Sequence, residues 1–179
     1  LAAIPVDRIL HDTYYVVGHF HYIVMGAIGF AVFAGIYYWF PIYTGRMYQR
    51  TLAKWHFWLT MIGTNVTFFP MILLGYAGMP RRYATYQLPV GPVNLLTILH
   101  QTATLGALLL AVAQIIFVWN LVTSWLEGPQ VTDGDPWDLK RRSQQTREYA
   151  WFEDKLATAL PDGGEEDGDP DAASSANAD

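Results

Sequence analysis

The 179-residue chain contains no cysteine, which excludes disulfide bridges, thiolate metal sites and a cysteine nucleophile. Acidic residues are absent from a long section: Asp7 and Asp12 precede Thr13, and the other fourteen of the sixteen follow Leu126. The net charge of −5 therefore belongs to a polar tail. An acid-free, largely apolar section of more than 100 residues is typical of a membrane protein. No segment has the pattern of a signal peptide.

Three segments are long and apolar enough to cross a bilayer core, which requires roughly 20 residues of helix. They cover about residues 14–40, 55–77 and 93–126, and the first is expected to stop at Pro41 because proline interrupts helices. Trp and Tyr cluster at the span ends, as they do at membrane interfaces. The predicted fold class is therefore all-α: an integral membrane helical bundle of three transmembrane helices in residues 1–126, followed by a polar, partly disordered tail.

The basic residues predict the orientation of these spans. Eight of the eleven Lys and Arg lie in the loop after the first span or in the tail, so the positive-inside rule predicts a multi-pass protein of the cell membrane with a cytoplasmic tail. Residues 127–160 have mixed charge and are expected to form a cytoplasmic surface segment with a short helix. Residues 161–179 hold seven acids and no base and are predicted to be disordered. Because the chain begins at Leu1 without Met, we interpret it as the C-terminal piece of a longer protein.

The stretch HDTYYVVGHFHY at residues 11–22 contains three of the five histidines. Successive residues of an α-helix are turned by about 100°, so His19 and His21 project from opposite faces of the first span. They cannot jointly bind one metal ion, but they can each serve a separate cofactor. Haem iron takes an axial histidine, which fits a helix placed between two haems. Hydrogen bonds to neighbouring helices are the alternative for both rings.

Two further pairs of residues lie near the outer surface in this topology. His11 and Asp12 combine an imidazole and a carboxylate, which suits a hard cation such as Mg²⁺ or Mn²⁺; a helix N-cap is the alternative. Arg81 and Arg82 are expected on the same side, where guanidinium groups pair with the carboxylates of a haem or with lipid phosphates. His56, at the start of the second span, is expected at the membrane interface.

The motif HDTYYVVGHFHY and the later NVTFFPMILLGYAGMPRRY at residues 65–83 closely resemble subunit I of the haem-copper oxygen reductases, the cytochrome c oxidase type. The likeness covers about residues 4–125 and corresponds to the last three of that subunit's twelve spans, whereas the tail beyond DPW departs from the family pattern. The resemblance implies a terminal respiratory oxidase, which takes electrons from cytochrome c or a blue-copper donor and reduces oxygen to water with proton pumping.

The resemblance also implies roles for the two histidines of the first span. His19 would be the axial ligand of the high-spin haem, at the catalytic centre, and His21 would ligate the low-spin haem; haem A type is expected for both. The copper ligands would lie on earlier spans, so this chain alone is not expected to be active.

The remaining implied roles concern the outer surface and the partners. His11 and Asp12 would hold Mg²⁺ or Mn²⁺, and Arg81 and Arg82 would pair with haem propionates. The expected partners are the rest of subunit I, oxidase subunits II and III and membrane lipid, and no nucleic acid. A quinol oxidase of the same superfamily and a non-catalytic haem-binding membrane cytochrome are the alternatives.

Overall fold

The computed structural model describes residues 1–83 and 93–159, and the regular structure of that part is helical. Its elements are, in order, α1 (Ile4–Leu10), α2 (Tyr14–Ile23), a π-helical stretch (Val24–Gly29), α3 (Phe30–Thr44), α4 (Arg50–Tyr76), α5 (Val93–Glu127) and α6 (Arg147–Ala159). Three helical runs are long and apolar enough to cross a membrane: Tyr14–Thr44, Arg50–Tyr76 and Leu95–Glu127. The predicted class, an all-α membrane bundle, is confirmed. The chain divides into two compact units, Leu1–Gln130 and Val131–Asp179.

The first span joins α2, the π-helical stretch and α3 into one continuous run. It begins after Thr13, whose side-chain oxygen accepts a hydrogen bond from the Tyr15 N–H at 3.2 Å, as an N-cap residue does. Pro41 lies inside α3 and does not end it. A proline removes one backbone hydrogen bond, and the last turn still forms. The helix instead ends at Gly45, which has a left-handed backbone (φ 66°) and donates its N–H to the Pro41 carbonyl at 2.8 Å.

The second span begins earlier than its hydrophobic pattern indicates, at Arg50 rather than at about residue 55. Its start is fixed by Asn120 of α5, which is fully buried. The Asn120 side-chain oxygen accepts from the Gln49 N–H at 3.1 Å, and its amide donates to the Gln49 carbonyl at 3.2 Å. The first bond satisfies the Gln49 N–H, which has no intrahelical partner at the helix N-terminus, whereas the Gln49 carbonyl also accepts from the Ala53 N–H at 3.2 Å.

The face of α4 that packs against α3 and α5 is partly polar. Four of its side chains there are at most 4% exposed: His56, Thr60, Thr64 and Thr67. His56, which the sequence places at the membrane interface, has its side chain buried within the bundle. Its ring lies between Phe33 and Phe117, with centroid distances of 4.8 and 4.7 Å, and its Nδ1 is 3.2 Å from the Tyr37 hydroxyl.

Backbone hydrogen bonds connect the helix ends of the three-span unit. At one end, Arg81, just after α4, donates its N–H to the carbonyl of Asp12, just before α2, at 2.9 Å. At the other end, Met47 donates to Pro129, which follows α5, at 2.8 Å. The beginning of the first span therefore lies beside the end of the second, as an up-and-down bundle requires.

The second unit is built around α6, at the position where the sequence predicted a short helix. Tyr149 and Phe152 are 1% and 5% exposed, and the Trp137 ring N–H donates to the Tyr149 hydroxyl at 2.6 Å. The acid-rich segment 161–179, predicted to be disordered, lies outside the described residues.

Candidate functional site

His21 lies on α2 with one ring nitrogen already hydrogen-bonded. Its Nδ1 is 2.8 Å from the backbone carbonyl oxygen of Val17, one turn earlier. A carbonyl oxygen only accepts, so Nδ1 carries the proton and Nε2 has a lone pair available. The ring also stacks on Phe68 of α4, at 4.4 Å and 15°, and on Phe20, at 4.3 Å and 30°. Metal-binding histidines are held in this way, with the second nitrogen donating to a carbonyl or carboxylate.

His19 is oriented by a different set of neighbours. Its ring lies nearly parallel to that of Tyr15, at 6.4 Å and 15°, and Tyr15 in turn meets Tyr76 of α4 edge-on at 5.2 Å. Among the described ring contacts, His19 and His21 have no neighbour in common. The separate surroundings agree with two rings that project from opposite faces of one helix.

Two glycines let α2 approach α4 at the level of these rings. A Cβ added to Gly18 would lie 2.7 Å from a side-chain carbon of Ile72 and 3.0 Å from the carbonyl oxygen of Phe68. A Cβ added to Gly75 would lie 2.5 Å from the Cα of Tyr15. Real Cβ atoms essentially never approach so closely, so small residues are required for this helix contact, as they often are between membrane helices.

A second group of sequence-predicted residues meets at the end where the first span begins. One carboxylate oxygen of Asp12 accepts from Arg81, with distances of 2.8 Å to Nε and 2.5 Å to Nη2. The other oxygen of Asp12 lies 3.7 Å from Nε2 of His11, whose Nδ1 is 3.4 Å from the Asp7 carboxylate. The hydrogen bond from Arg81 outweighs partial desolvation and holds the pKa of the Asp12 carboxyl below its ordinary value. Asp12 is therefore an anion at neutral pH.

Asp12 and Arg82 both have left-handed backbones, with φ of 56° and 72°. Asp tolerates this conformation, but for a long side chain it is unusual and costs of order 1–3 kcal/mol. An isolated β-bridge pairs Thr13, which follows Asp12, with Pro80, two residues before Arg82. Arg82 itself is exposed.

The donor set of His11 and Asp12 fits a hard cation in part. Their facing atoms are 3.7 Å apart, a separation that a cation about 2.1 Å from each can bridge. Within residues 1–83 and 93–159, no group of three or more His, Asp or Glu is arranged to hold a metal ion. The pair therefore supplies two ligands, and water or another chain segment must supply the others.

The three-span bundle therefore presents two differently oriented histidines on one span and an arginine–carboxylate cluster at the beginning of that span. The family model described as cytochrome c and quinol oxidase polypeptide I matches residues 1–109. The chain belongs to this family.

Several curated relatives are similar over most of this chain. Cytochrome c oxidase polypeptide 1 of Halobacterium salinarum is 57% identical over 167 residues, which are 93% of this chain and 27% of the relative. Cytochrome c oxidase subunit 1 of Thermostichus vulcanus is 48% identical over 137 residues, 76% of this chain and 24% of the relative. Probable cytochrome c oxidase subunit 1-beta of Nocardia farcinica is 46% identical, with coverages of 76% and 23%. The chain thus spans about a quarter of the length of these relatives.

Sequence reasoning did not assign the residues that hold the two histidines. Val17 acts through its backbone carbonyl, for which no side-chain signal exists. Phe68 is one of many apolar residues in its span. Asn65 bonds to Tyr22 beside His21, and an amide inside an apolar span is a signal that could have found it.

Proposed function

We propose that this chain is part of the catalytic subunit of a terminal respiratory oxidase, which passes electrons to a haem-copper centre where oxygen is reduced to water with proton pumping. The observation that carries the proposal is the state of His21: its Nδ1 proton is donated to Val17, so a free Nε2 is presented from an apolar span. Family membership supports the same function.

In this proposal each histidine of the first span would hold the iron of one haem. His21 ligates the low-spin haem, and His19 ligates the high-spin haem at the catalytic centre, both of haem A type. When bound, the haems supply the iron that carries electrons and, together with copper, forms the centre of oxygen reduction. The chain's own part is to hold the two imidazoles on opposite faces of a helix that is fixed against α4.

In the same proposal, the cluster of Asp12, Arg81 and Arg82 at the outer end of the first span balances the charge of the haem propionates and of a bound cation. Arg81 and Arg82 provide the positive charge that haem propionates require. His11 and the unshared oxygen of Asp12 hold Mg²⁺ or Mn²⁺, while Arg81 keeps the other oxygen of Asp12 in place.

The other parts of the proposal concern segments and partners beyond this chain. The rest of subunit I supplies the copper ligands and the second ligand of the low-spin haem, so this chain alone is inactive. Subunits II and III complete the oxidase in the cell membrane, the tail lies in the cytoplasm, and cytochrome c or a blue-copper protein donates the electrons. An antibody to the tail should detect, in host membranes, a polypeptide several times larger than 20.2 kDa.

The test uses the oxidase purified from host membranes through this chain. We expect oxygen consumption with reduced cytochrome c or a reduced blue-copper protein, and a carbon monoxide difference spectrum from a haem with an open position. Oxygen consumption with a quinol alone would replace this proposal by a quinol oxidase of the same superfamily. Haem without carbon monoxide binding or oxygen consumption would replace it by a plain electron-transfer cytochrome.

A further inference from the structure

A tyrosine–asparagine pair connects α2 to α4 beside the two histidines. The Tyr22 hydroxyl donates to the Asn65 side-chain oxygen at 2.9 Å, and the Asn65 amide donates to the backbone carbonyl of Met61 at 2.9 Å. Among the described residues, the Tyr22–Asn65 bond is the side-chain hydrogen bond that joins α2 to α4. Polar groups in an apolar span are costly unless they are bonded, and here each partner satisfies the other.

The pair occupies a defined place in the contact between the helices. Tyr22 directly follows His21 in sequence. The His21 ring stacks on Phe68, and Asn65 lies three residues before Phe68. One turn of α4 therefore makes both contacts. On the other side, Gly18 lies one turn before Tyr22 and meets the backbone of α4 at Phe68.

The π-helical stretch Val24–Gly29 begins two residues after Tyr22. A π-helix bonds i to i+5 instead of i to i+4, so it contains an extra residue in each turn. If this irregularity moved towards the N-terminus by one residue, the residues that it passed would turn by about 100° relative to their neighbours. His21 and His19 are the next functional side chains in that direction.

We propose that Tyr22 and Asn65 are positioning residues that lock the rotation of the histidine-bearing turn of α2 against α4. The hydrogen bond stops the π-helical irregularity at residue 24 and keeps the His21 ring on Phe68. This inference rests on the proposed function, because it assumes that His21 ligates the low-spin haem.

The experiment compares Tyr22→Phe, Asn65→Leu and the double variant in the intact oxidase, with Tyr43→Phe as the control. Tyr43 belongs to the same span, is 81% exposed and has no hydrogen bond among those described. Haem content is measured from the pyridine haemochrome, and the environment of the ferric low-spin haem is measured from its EPR g values, which respond to the orientation of the ligand rings.

We expect each single variant to retain its haem content while the low-spin g values shift and their lines broaden. The double variant should show the same shift as either single variant, since both remove one shared bond. Tyr43→Phe should leave the spectrum unchanged. Tyr22→Phe keeps the aromatic ring, so it decides the question even if Asn65→Leu does not assemble.

His21→Ala separates failure of this inference from failure of the proposed function. If the low-spin signal persists in His21→Ala, the ligand assignment is overturned and the inference falls with it. If His21→Ala loses the signal but Tyr22→Phe has the g values of the parent, the positioning role alone is overturned.

Discussion

Replacing Gly75 by alanine should separate α2 from α4 beside the candidate haem ligands. The atom nearest to the new Cβ would be the backbone nitrogen of Tyr15, closer still than the Cα and Cβ of Tyr15 at 2.5 Å, where ordinary contacts are 3.4–4 Å, so the first turn of α2 must retreat by more than 1 Å. Overpacking of this kind costs about 1–3 kcal/mol. The better helix propensity of alanine returns up to about 1 kcal/mol. We expect the free energy of unfolding to fall by roughly 0–3 kcal/mol relative to the parent, and to lie below that of a glycine-to-alanine change without the clash.

The effect should reach the proposed haem site because the Tyr15 ring is stacked with that of His19. The assay is SDS-induced unfolding of the reconstituted oxidase, combined with the carbon monoxide difference spectrum of the high-spin haem. Gly26→Ala is the matched control, since no described atom lies within 4 Å of its added Cβ. The reasoning is refuted if Gly75→Ala is as stable as Gly26→Ala and has the same carbon monoxide spectrum.

Three further changes test other parts of the structure. Asn120→Ala removes the buried amide that bonds both the N–H and the carbonyl of Gln49 and, at about 0.5–1.5 kcal/mol for each bond, should cost about 1–3 kcal/mol of unfolding free energy in the same SDS assay; an unchanged midpoint would contradict this. Arg81→Lys removes the two-nitrogen contact with Asp12 and should weaken Mn²⁺ binding, measured by EPR, at least tenfold; parental affinity would count against the role of Arg81 at the cation site. For Asp135, desolvation raises the pKa, but backbone N–H donors outweigh it and hold the pKa below 3.8. Its stabilising contribution is therefore present above pH 3.8 and lost as the pH falls through the lowered pKa. The difference in tail hydrogen exchange between the parent and Asp135→Asn should be constant well above the ordinary pKa of aspartate and should vanish as the pH falls through the lowered pKa; a difference that grows in acid would reverse the sign.

The long apolar runs were sufficient to predict the three spans, because a bilayer imposes both length and composition on a helix. The helical period likewise predicted separate surroundings for His19 and His21, and the structure gives them different ring neighbours. These predictions depend on local geometry alone. They required no knowledge of which helices touch.

The sequence alone did not predict the contacts between distant segments. Arg81 meets Asp12 across 69 positions, and His56 is enclosed by rings from two other helices. A general rule about proline also misplaced the end of the first span at Pro41, since the rule describes a tendency and the following glycine decides where the helix ends. A single sequence does not show directly which distant residues are in contact.

The central claim is that one span supplies a single axial ligand to each of two haems. The most direct measurement is the haem content of the purified oxidase, with carbon monoxide binding, in His19→Ala and His21→Ala. We predict that His21→Ala loses the low-spin haem and still binds carbon monoxide, whereas His19→Ala keeps the low-spin haem and loses carbon monoxide binding. Retention of both haems with unchanged spectra in either variant would contradict the claim.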